Sequence, residues 1–121
     1  GAADILVLKA QPLGGIAAAL RIAAEAGLPV VVSSALDTSV GLSMGAALAA
    51  ALPALEYDCG LGTAALLAAD VTENPLVPRD GTIEVRRVEP DAALLARHAA
   101  APERETWWRE RLERCATLLG G

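Results

Sequence analysis

The sequence predicts an α/β fold in which parallel strands are covered by helices. Short apolar runs alternate with alanine-rich stretches of helical length, and the connections between them are short. The resulting order is strand, helix, strand, helix, strand. Because parallel strands need a crossover connection, which is usually helical and right-handed, this order favours about three parallel strands with helices packed on them.

The first two predicted strands flank the first helix. Residues 4–8 form an almost continuous run of Ile, Leu and Val closed by Lys9, which is the pattern of a strand buried on both faces of a parallel sheet. A helix then begins at Ile16 and ends at Gly27, a glycine suited to a C-cap. Residues 29–33 give the second strand.

A second helix and a third strand complete the predicted array. The helix begins at Ser39, with Thr38 or Ser39 as its N-cap, and Pro53 ends it. Residues 56–63 supply a third strand that runs into a glycine loop. We therefore expect one set of βα units over residues 1–69.

The remainder of the chain is richer in charged and turn-forming residues. We expect a connecting segment over 70–88 with a short strand at 82–85, and a tail over 89–121 with helices at 91–101 and 103–119. Apolar side chains recur at helical spacing in the last helix, which predicts that the Trp107–Trp108 pair docks the tail on the fold. The recurring residues are Trp108, Leu112, Cys115 and Leu119.

Composition excludes several classes of function. The chain has 121 residues, 54% of them apolar, and a net charge of −5, so we expect a buried core and neither nucleic acid nor a membrane as a partner. Cys59 and Cys115 lack metal-ligand spacing, which argues against zinc or iron–sulfur chemistry. Two buried thiols in a cytoplasmic protein are the expected state, with a disulfide left as the alternative. The uncharged stretch 38–55 is interpreted as a packed helix rather than a membrane span.

Polar and glycine residues follow each predicted strand. Lys9 closes the first, Ser33 and Ser34 close the second, and Gly60 and Gly62 follow the third. Ligand sites of parallel βα arrays lie at the carboxyl ends of the strands, so these residues are candidates for one site. A cation there is costly to desolvate unless it meets a partner, and bare glycine backbone admits a carboxylate or phosphate.

Each of these features also has a structural interpretation. For Lys9, a functional role and a lysine that simply extends to solvent are equally compatible with the sequence. The serines are suited to bonding the loop backbone, and the glycines are suited to turns. Gly14-Gly15 before the first helix is a weak indication of anion binding, and supports a phosphate-binding half-barrel as a further alternative.

Four segments of the sequence together form a recognisable pattern: Asp4-Ile-Leu-Val-Leu-Lys9, Pro12-Leu-Gly-Gly15, Pro29-Val-Val-Val-Ser-Ser-Ala-Leu-Asp-Thr-Ser-Val-Gly-Leu42 and Gly60-Leu-Gly-Thr63. This combination resembles the o-succinylbenzoate synthase family of the enolase superfamily. The third is the most specific, and the resemblance extends through at least Val85. It implies the C-terminal portion of a (β/α) barrel, with 70–88 returning toward a capping domain.

The resemblance also implies roles for the candidate residues. Lys9 corresponds to the family's sixth-strand lysine, which stays cationic against the face of an enediolate. Ser33 and Gly60 correspond to residues that contact the substrate's carboxylate arm, with Ser34 and Gly62 beside them. Asp37 is expected to be structural.

The implied reaction is dehydration of 2-succinyl-6-hydroxy-2,4-cyclohexadiene-1-carboxylate to o-succinylbenzoate, assisted by Mg²⁺, in menaquinone biosynthesis. The acidic Mg²⁺ ligands, the second-strand lysine and the capping loop have no counterpart in this sequence. The upstream barrel and capping domain of the same protein are therefore the implied partners, and the chain alone is expected to be inactive. Racemisation of N-acylamino acids, epimerisation of dipeptides, or a non-catalytic role as an assembly module are the alternatives.

Overall fold

The computed structural model describes residues 1–120, and it begins with the predicted strand–helix alternation. Strands β1 (Leu6–Leu8) and β2 (Val30–Val32) alternate with helices α1 (Ile16–Ala26) and α2 (Ser39–Ala51). A 3-10 helix covers Thr63–Leu66. The tail holds α3 (Ala92–Arg97) and α4 (Pro102–Leu119). Helix α1 ends as predicted, because Gly27 adopts the left-handed conformation (φ 59°) and its N–H bonds the carbonyl of Ala23.

The two strands are parallel, as the crossover argument requires. Val7 pairs with Val31, and Leu6 and Leu8 pair with Val30 and Val32. The predicted third strand is reduced to a single parallel bridge between Ser33 and Gly60. Residues 56–58 are polar and exposed, so no apolar face holds them against the sheet.

Helices α1 and α2 cover one face of this sheet, and its other face is open. Leu8, Val30 and Val32 are buried beneath the helices, whereas Val7, whose side chain alternates to the opposite face, is 58% exposed. Lys9 and Ser33 continue the strands by one residue each, so they follow the alternation of Val7 and project from the open face.

A glycine brings α2 close to the third loop. A Cβ atom on Gly45 would lie 2.7 Å from Cδ2 of Leu61, and Leu61 is only 4% exposed. The absence of a side chain at position 45 therefore lets Leu61 complete the core beside the residues that precede the 3-10 helix.

The connecting segment is tied to the start of α2 by Asp70. Its carboxylate accepts hydrogen bonds from the Ser39 N–H (3.1 Å) and from Ser39 Oγ (2.5 Å). Ser39 Oγ accepts one in turn from the N–H of Leu76 (2.7 Å). Thr38, the N-cap residue, makes no side-chain cap bond. The carboxylate of Asp70, 31 positions beyond Ser39, satisfies the helix terminus instead.

The strand predicted over 82–85 is wrong. Only an isolated antiparallel bridge between Arg79 and Thr82 forms, closed by Asp80 (φ 49°) and Gly81 (φ 76°). Two successive left-handed residues are typical of a tight hairpin turn, and no second hydrogen-bonded pair follows it.

The tail differs from its prediction. The helix expected over 91–101 covers only Ala92–Arg97, and α4 has no buried residue, with Trp108 53% and Leu112 71% exposed. The predicted docking of the tail is therefore wrong within residues 1–120. Local contacts stabilise α4 instead: Arg104 lies 4.7 Å from the Trp107 ring centroid, and a hydrogen bond to Glu105 raises the pKa of Arg109.

Two further expectations concern the thiols and the membrane. Both cysteines are free, but Cys115 is exposed and Cys59 only half-buried, so the prediction of two buried thiols is wrong. Within residues 1–120, every helix is too short or too polar to cross a bilayer.

Candidate functional site at the carboxyl ends of the strands

Three candidate residues form one row across the end of the sheet. The register that pairs Leu8 with Val32 continues to Lys9 beside Ser33, and Ser33 bridges Gly60. Backbone bonds fix this row: the Ser33 N–H donates to the Leu8 carbonyl (2.9 Å), and the Gly60 N–H donates to the Val32 carbonyl (2.8 Å). The juxtaposition is thus a consequence of parallel pairing.

The Lys9 ammonium is held by neutral oxygens. Nζ donates to Oγ of Ser33 at 3.1 Å and to the backbone carbonyl of Ser34. The side chain is half-buried, so it does not simply extend into solvent. An ammonium has three N–H donors, and these two contacts leave one of them for a ligand.

No carboxylate within residues 1–120 neutralises this ammonium. The four ion pairs of the described chain join arginines to glutamates between residues 84 and 114. Hydroxyl and carbonyl dipoles orient a cation without cancelling its charge, so Lys9 retains a full positive field at the strand ends. An anionic group placed there would be attracted to it.

Ser34 is the centre of the hydrogen-bond network. It is 5% exposed, and its N–H (2.9 Å) and its hydroxyl (3.0 Å) both donate to the carbonyl of Gly60. Its own carbonyl accepts from Lys9 and from the Ser33 hydroxyl (3.3 Å). Ser34 therefore joins the second strand end to the third loop and to the ammonium.

Sequence reasoning missed the contribution of Thr63. Its Oγ1 donates to Oγ of Ser34 at 2.9 Å across 29 residues of sequence. The available signal was its position directly after the Gly60-Leu-Gly62 loop, which brings it to the same edge as the serines.

The two glycines of the third loop differ in their surroundings. A Cβ atom on Gly60 would lie 3.1 Å from Oγ of Ser33, a tight contact, so glycine at this position leaves the Ser33 hydroxyl undisturbed. Gly62 is exposed, and a Cβ on it would meet Pro78 Cγ at 3.8 Å, an ordinary contact. Gly62 lies on the same loop but makes none of the hydrogen bonds to Lys9, Ser33 or Ser34.

The Gly14-Gly15 turn does not offer its N–H groups to an anion. The Gly14 N–H donates to the Gln11 carbonyl (3.1 Å), and the Gly15 N–H donates to the Ala10 carbonyl (2.8 Å). Both glycines have positive φ, 88° and 111°, so they serve the turn into α1. The carboxylate of Asp37 accepts the N–H of Ala35 (2.9 Å) and so closes a local turn after the second strand.

The described residues do not fit a metal ion. Within 1–120, no three His, Cys, Asp or Glu side chains come together as a ligand set. The chemistry that these residues offer is that of a fixed cation, one hydroxyl and exposed glycine backbone, suited to a carboxylate on which negative charge increases during reaction.

The fold and this row of residues define a class of protein. Residues 1–92 match the enolase C-terminal domain-like family, and the chain belongs to it. The muconate lactonizing enzyme from Pseudomonas putida superposes with a TM-score of 0.72 at 29% identity, covering 82% of this chain and 30% of that one. Enolase-superfamily members typically depend on Mg²⁺.

Curated relatives point further within this class. The o-succinylbenzoate synthase of Mycobacterium ulcerans is 52% identical over 119 residues, and that of Mycobacterium tuberculosis is 53% identical over 118. Each alignment covers 98% of this chain and 36% of the relative. The chain thus spans about a third of the length of these relatives, and the similarity includes the tail beyond residue 92.

Proposed function

We propose that this chain is the C-terminal part of an o-succinylbenzoate synthase, a dehydratase of the enolase superfamily acting in menaquinone biosynthesis. The observation that carries the proposal is the half-buried Lys9 ammonium, held at the strand ends by neutral oxygens alone. The identity of 52–53% to synthases of that name supports it. Residues 1–69 would form the last barrel units, 70–88 the return toward a capping domain, and 89–121 the helical tail.

The proposed reaction eliminates water from 2-succinyl-6-hydroxy-2,4-cyclohexadiene-1-carboxylate. The bond from C1, next to the carboxylate, to its hydrogen breaks, and so does the bond from C6 to its hydroxyl. A C1–C6 double bond forms and makes the ring aromatic, while the proton and the hydroxide leave together as water. Negative charge accumulates on the carboxylate as the proton leaves, and that charge is what a catalyst must stabilise.

Lys9 is the proposed catalytic residue of this chain. Its unneutralised ammonium would lie against the developing charge without releasing its own proton. Ser33 and Gly60 would contact the carboxylate arm of the substrate, the first through its hydroxyl and the second through its backbone. Ser34 and Gly62 belong to the same proposed binding edge, Ser34 as its hydrogen-bonded support and Gly62 as open backbone.

The remaining components of the site are proposed to come from the rest of the protein. The base that takes the proton and the ligands of Mg²⁺, which stabilises negative charge when bound, would belong to the upstream barrel, and a capping domain would close the site. Free thiols at Cys59 and Cys115 favour a reducing location, so the cytoplasm is part of the proposal.

The test uses the whole protein that contains this chain. Purified enzyme is offered the cyclohexadiene carboxylate, an N-acylamino acid and a dipeptide in parallel, with aromatic product, racemisation and epimerisation measured separately. The proposal expects dehydration to have the highest kcat/KM. Preferred racemisation or epimerisation would reassign the reaction within the superfamily, and inactivity toward all three would favour a non-catalytic assembly module.

A further inference from the structure

We propose that Thr63 is a positioning residue that holds the Lys9 ammonium in place through Ser34. The expected effect of Thr63 on turnover rests on the proposed function. Its effect on the position of the Lys9 ammonium does not. The chain of contacts runs from Thr63 Oγ1 to Ser34 Oγ (2.9 Å), and from the carbonyl of Ser34 to Nζ of Lys9.

The direction of the protons makes Thr63 the donor. The Ser34 hydroxyl has one proton, which it gives to the Gly60 carbonyl at 3.0 Å. Its oxygen can therefore only accept from Thr63. With Thr63 in place, the Ser34 hydroxyl accepts a hydrogen bond from Thr63 and donates one to the Gly60 carbonyl, so its orientation is fixed.

Fixing this hydroxyl also fixes the peptide that holds the ammonium. The carbonyl of Ser34 accepts from Lys9 and from the Ser33 hydroxyl, while the N–H and hydroxyl of Ser34 both bond Gly60. Loss of the Thr63 donor leaves the Ser34 hydroxyl held only by its bond to the Gly60 carbonyl, which weakens the attachment of this peptide to the third loop. The ammonium then loses its defined position relative to a bound carboxylate.

A role in the 3-10 helix does not account for the Thr63 hydroxyl. The helix starts at Thr63 with Gly62 as its N-cap, and no side-chain cap bond is made. Thr63 is half-buried, and its hydroxyl bond reaches across 29 residues to another strand end. The hydroxyl therefore serves the contact between loops.

The experiment compares Thr63→Val with Thr63→Ser in the whole protein. Valine keeps the shape of threonine and removes the donor, whereas serine keeps the donor. We expect Thr63→Val to lower kcat about fivefold, a loss typical of one hydrogen bond, with KM within about twofold. Thr63→Ser should retain kcat within about twofold. Thr82→Val is the matched control, because the Thr82 hydroxyl bonds the Arg79 carbonyl on an exposed turn.

Crystal structures of the wild type and of Thr63→Val separate this inference from the proposed function. Loss of the Lys9–Ser34 contact in Thr63→Val supports the inference even when the wild type shows no dehydratase activity, in which case only the function fails. An intact Lys9–Ser34 contact in Thr63→Val overturns the inference. So does an active enzyme in which Thr63→Val turns over like the wild type, or in which Thr63→Ser is equally impaired.

Discussion

Nζ of Lys9 lies 3.1 Å from Oγ of Ser33, although 24 residues separate them in sequence. Parallel pairing of β1 and β2 sets this contact, because the register places the residue after Leu8 level with the residue after Val32. The ammonium and the hydroxyl thus reach the same edge through backbone hydrogen bonds alone. Their roles can be separated by substituting each in turn.

Replacement of Lys9 by Ala in the whole protein should nearly abolish dehydration. Removal of one preorganised group that stabilises charge in a transition state lowers kcat by about 100- to 1000-fold, and we expect a loss of that order. Steady-state turnover of the cyclohexadiene carboxylate measures it.

The matched control for Lys9 is Arg21→Ala. Arg21 is an exposed cation on α1, so its removal changes the net charge equally without altering the strand ends. We expect wild-type turnover for Arg21→Ala and similar melting temperatures for both variants. Near-normal turnover in Lys9→Ala would contradict the assignment of Lys9.

Replacement of Ser33 by Ala should have a smaller effect. Ser33 shares the ammonium with the Ser34 carbonyl, so its loss removes one of two anchors and one proposed substrate contact. A hydrogen bond of net value about 0.5–1.5 kcal/mol corresponds to a loss of about two- to thirteenfold in kcat/KM. A decrease as large as that of Lys9→Ala would instead indicate that Ser33 takes a direct part in the chemistry.

Gly60→Ala should act on the site through the same serine. The new Cβ would lie 3.1 Å from Ser33 Oγ, which must then move by a few tenths of an ångström and disturb its bond to Lys9. We expect a loss of kcat/KM at least as large as that of Ser33→Ala. In the double variant the Oγ is gone, so the second substitution should add little, and additive losses would contradict a shared cause.

Much of the first half of the fold could be predicted from the sequence, because local patterns of residues determine its strands and helices. Periodic apolar runs and Gly27 predicted β1, α1, β2 and α2, and parallel pairing then places Lys9 beside Ser33. The prediction of a third strand was wrong because the residues just before Gly60 are polar. The glycine loop is instead held to the sheet by a single bridge.

The missed features depend on distant partners. Thr63 and Asp70 bond residues 29 and 31 positions away, and no local pattern marks such pairs. The apolar spacing in α4 correctly indicated a helix, but periodicity alone does not say what a helix packs against.

Ser39→Ala should destabilise the protein by about 1–3 kcal/mol. Ser39 is fully buried, and without its hydroxyl the N–H of Leu76 loses its acceptor and Asp70 loses a donor. Ser43→Ala in the same helix is the control, since the Ser43 hydroxyl bonds only the Val40 carbonyl of its own helix. Urea unfolding of the whole protein measures both, and equal losses would contradict the importance of the Asp70 link.

Gly45→Ala should destabilise the protein by overpacking, and a change at Leu61 should relieve it. The new methyl would lie 2.7 Å from Cδ2 of Leu61, which is too close for two carbon atoms. Because Leu61 is buried and cannot move into solvent, we expect a loss of about 1–3 kcal/mol in the free energy of unfolding.

A second substitution, Leu61→Val, tests this cause because it shortens the side chain that the new methyl group would overlap. The double variant Gly45→Ala/Leu61→Val should therefore be more stable than the sum of the two single losses predicts. Strictly additive losses in urea unfolding would mean that α2 moves away from the third loop instead, and in that case Gly45→Ala should also lower turnover by shifting Gly60.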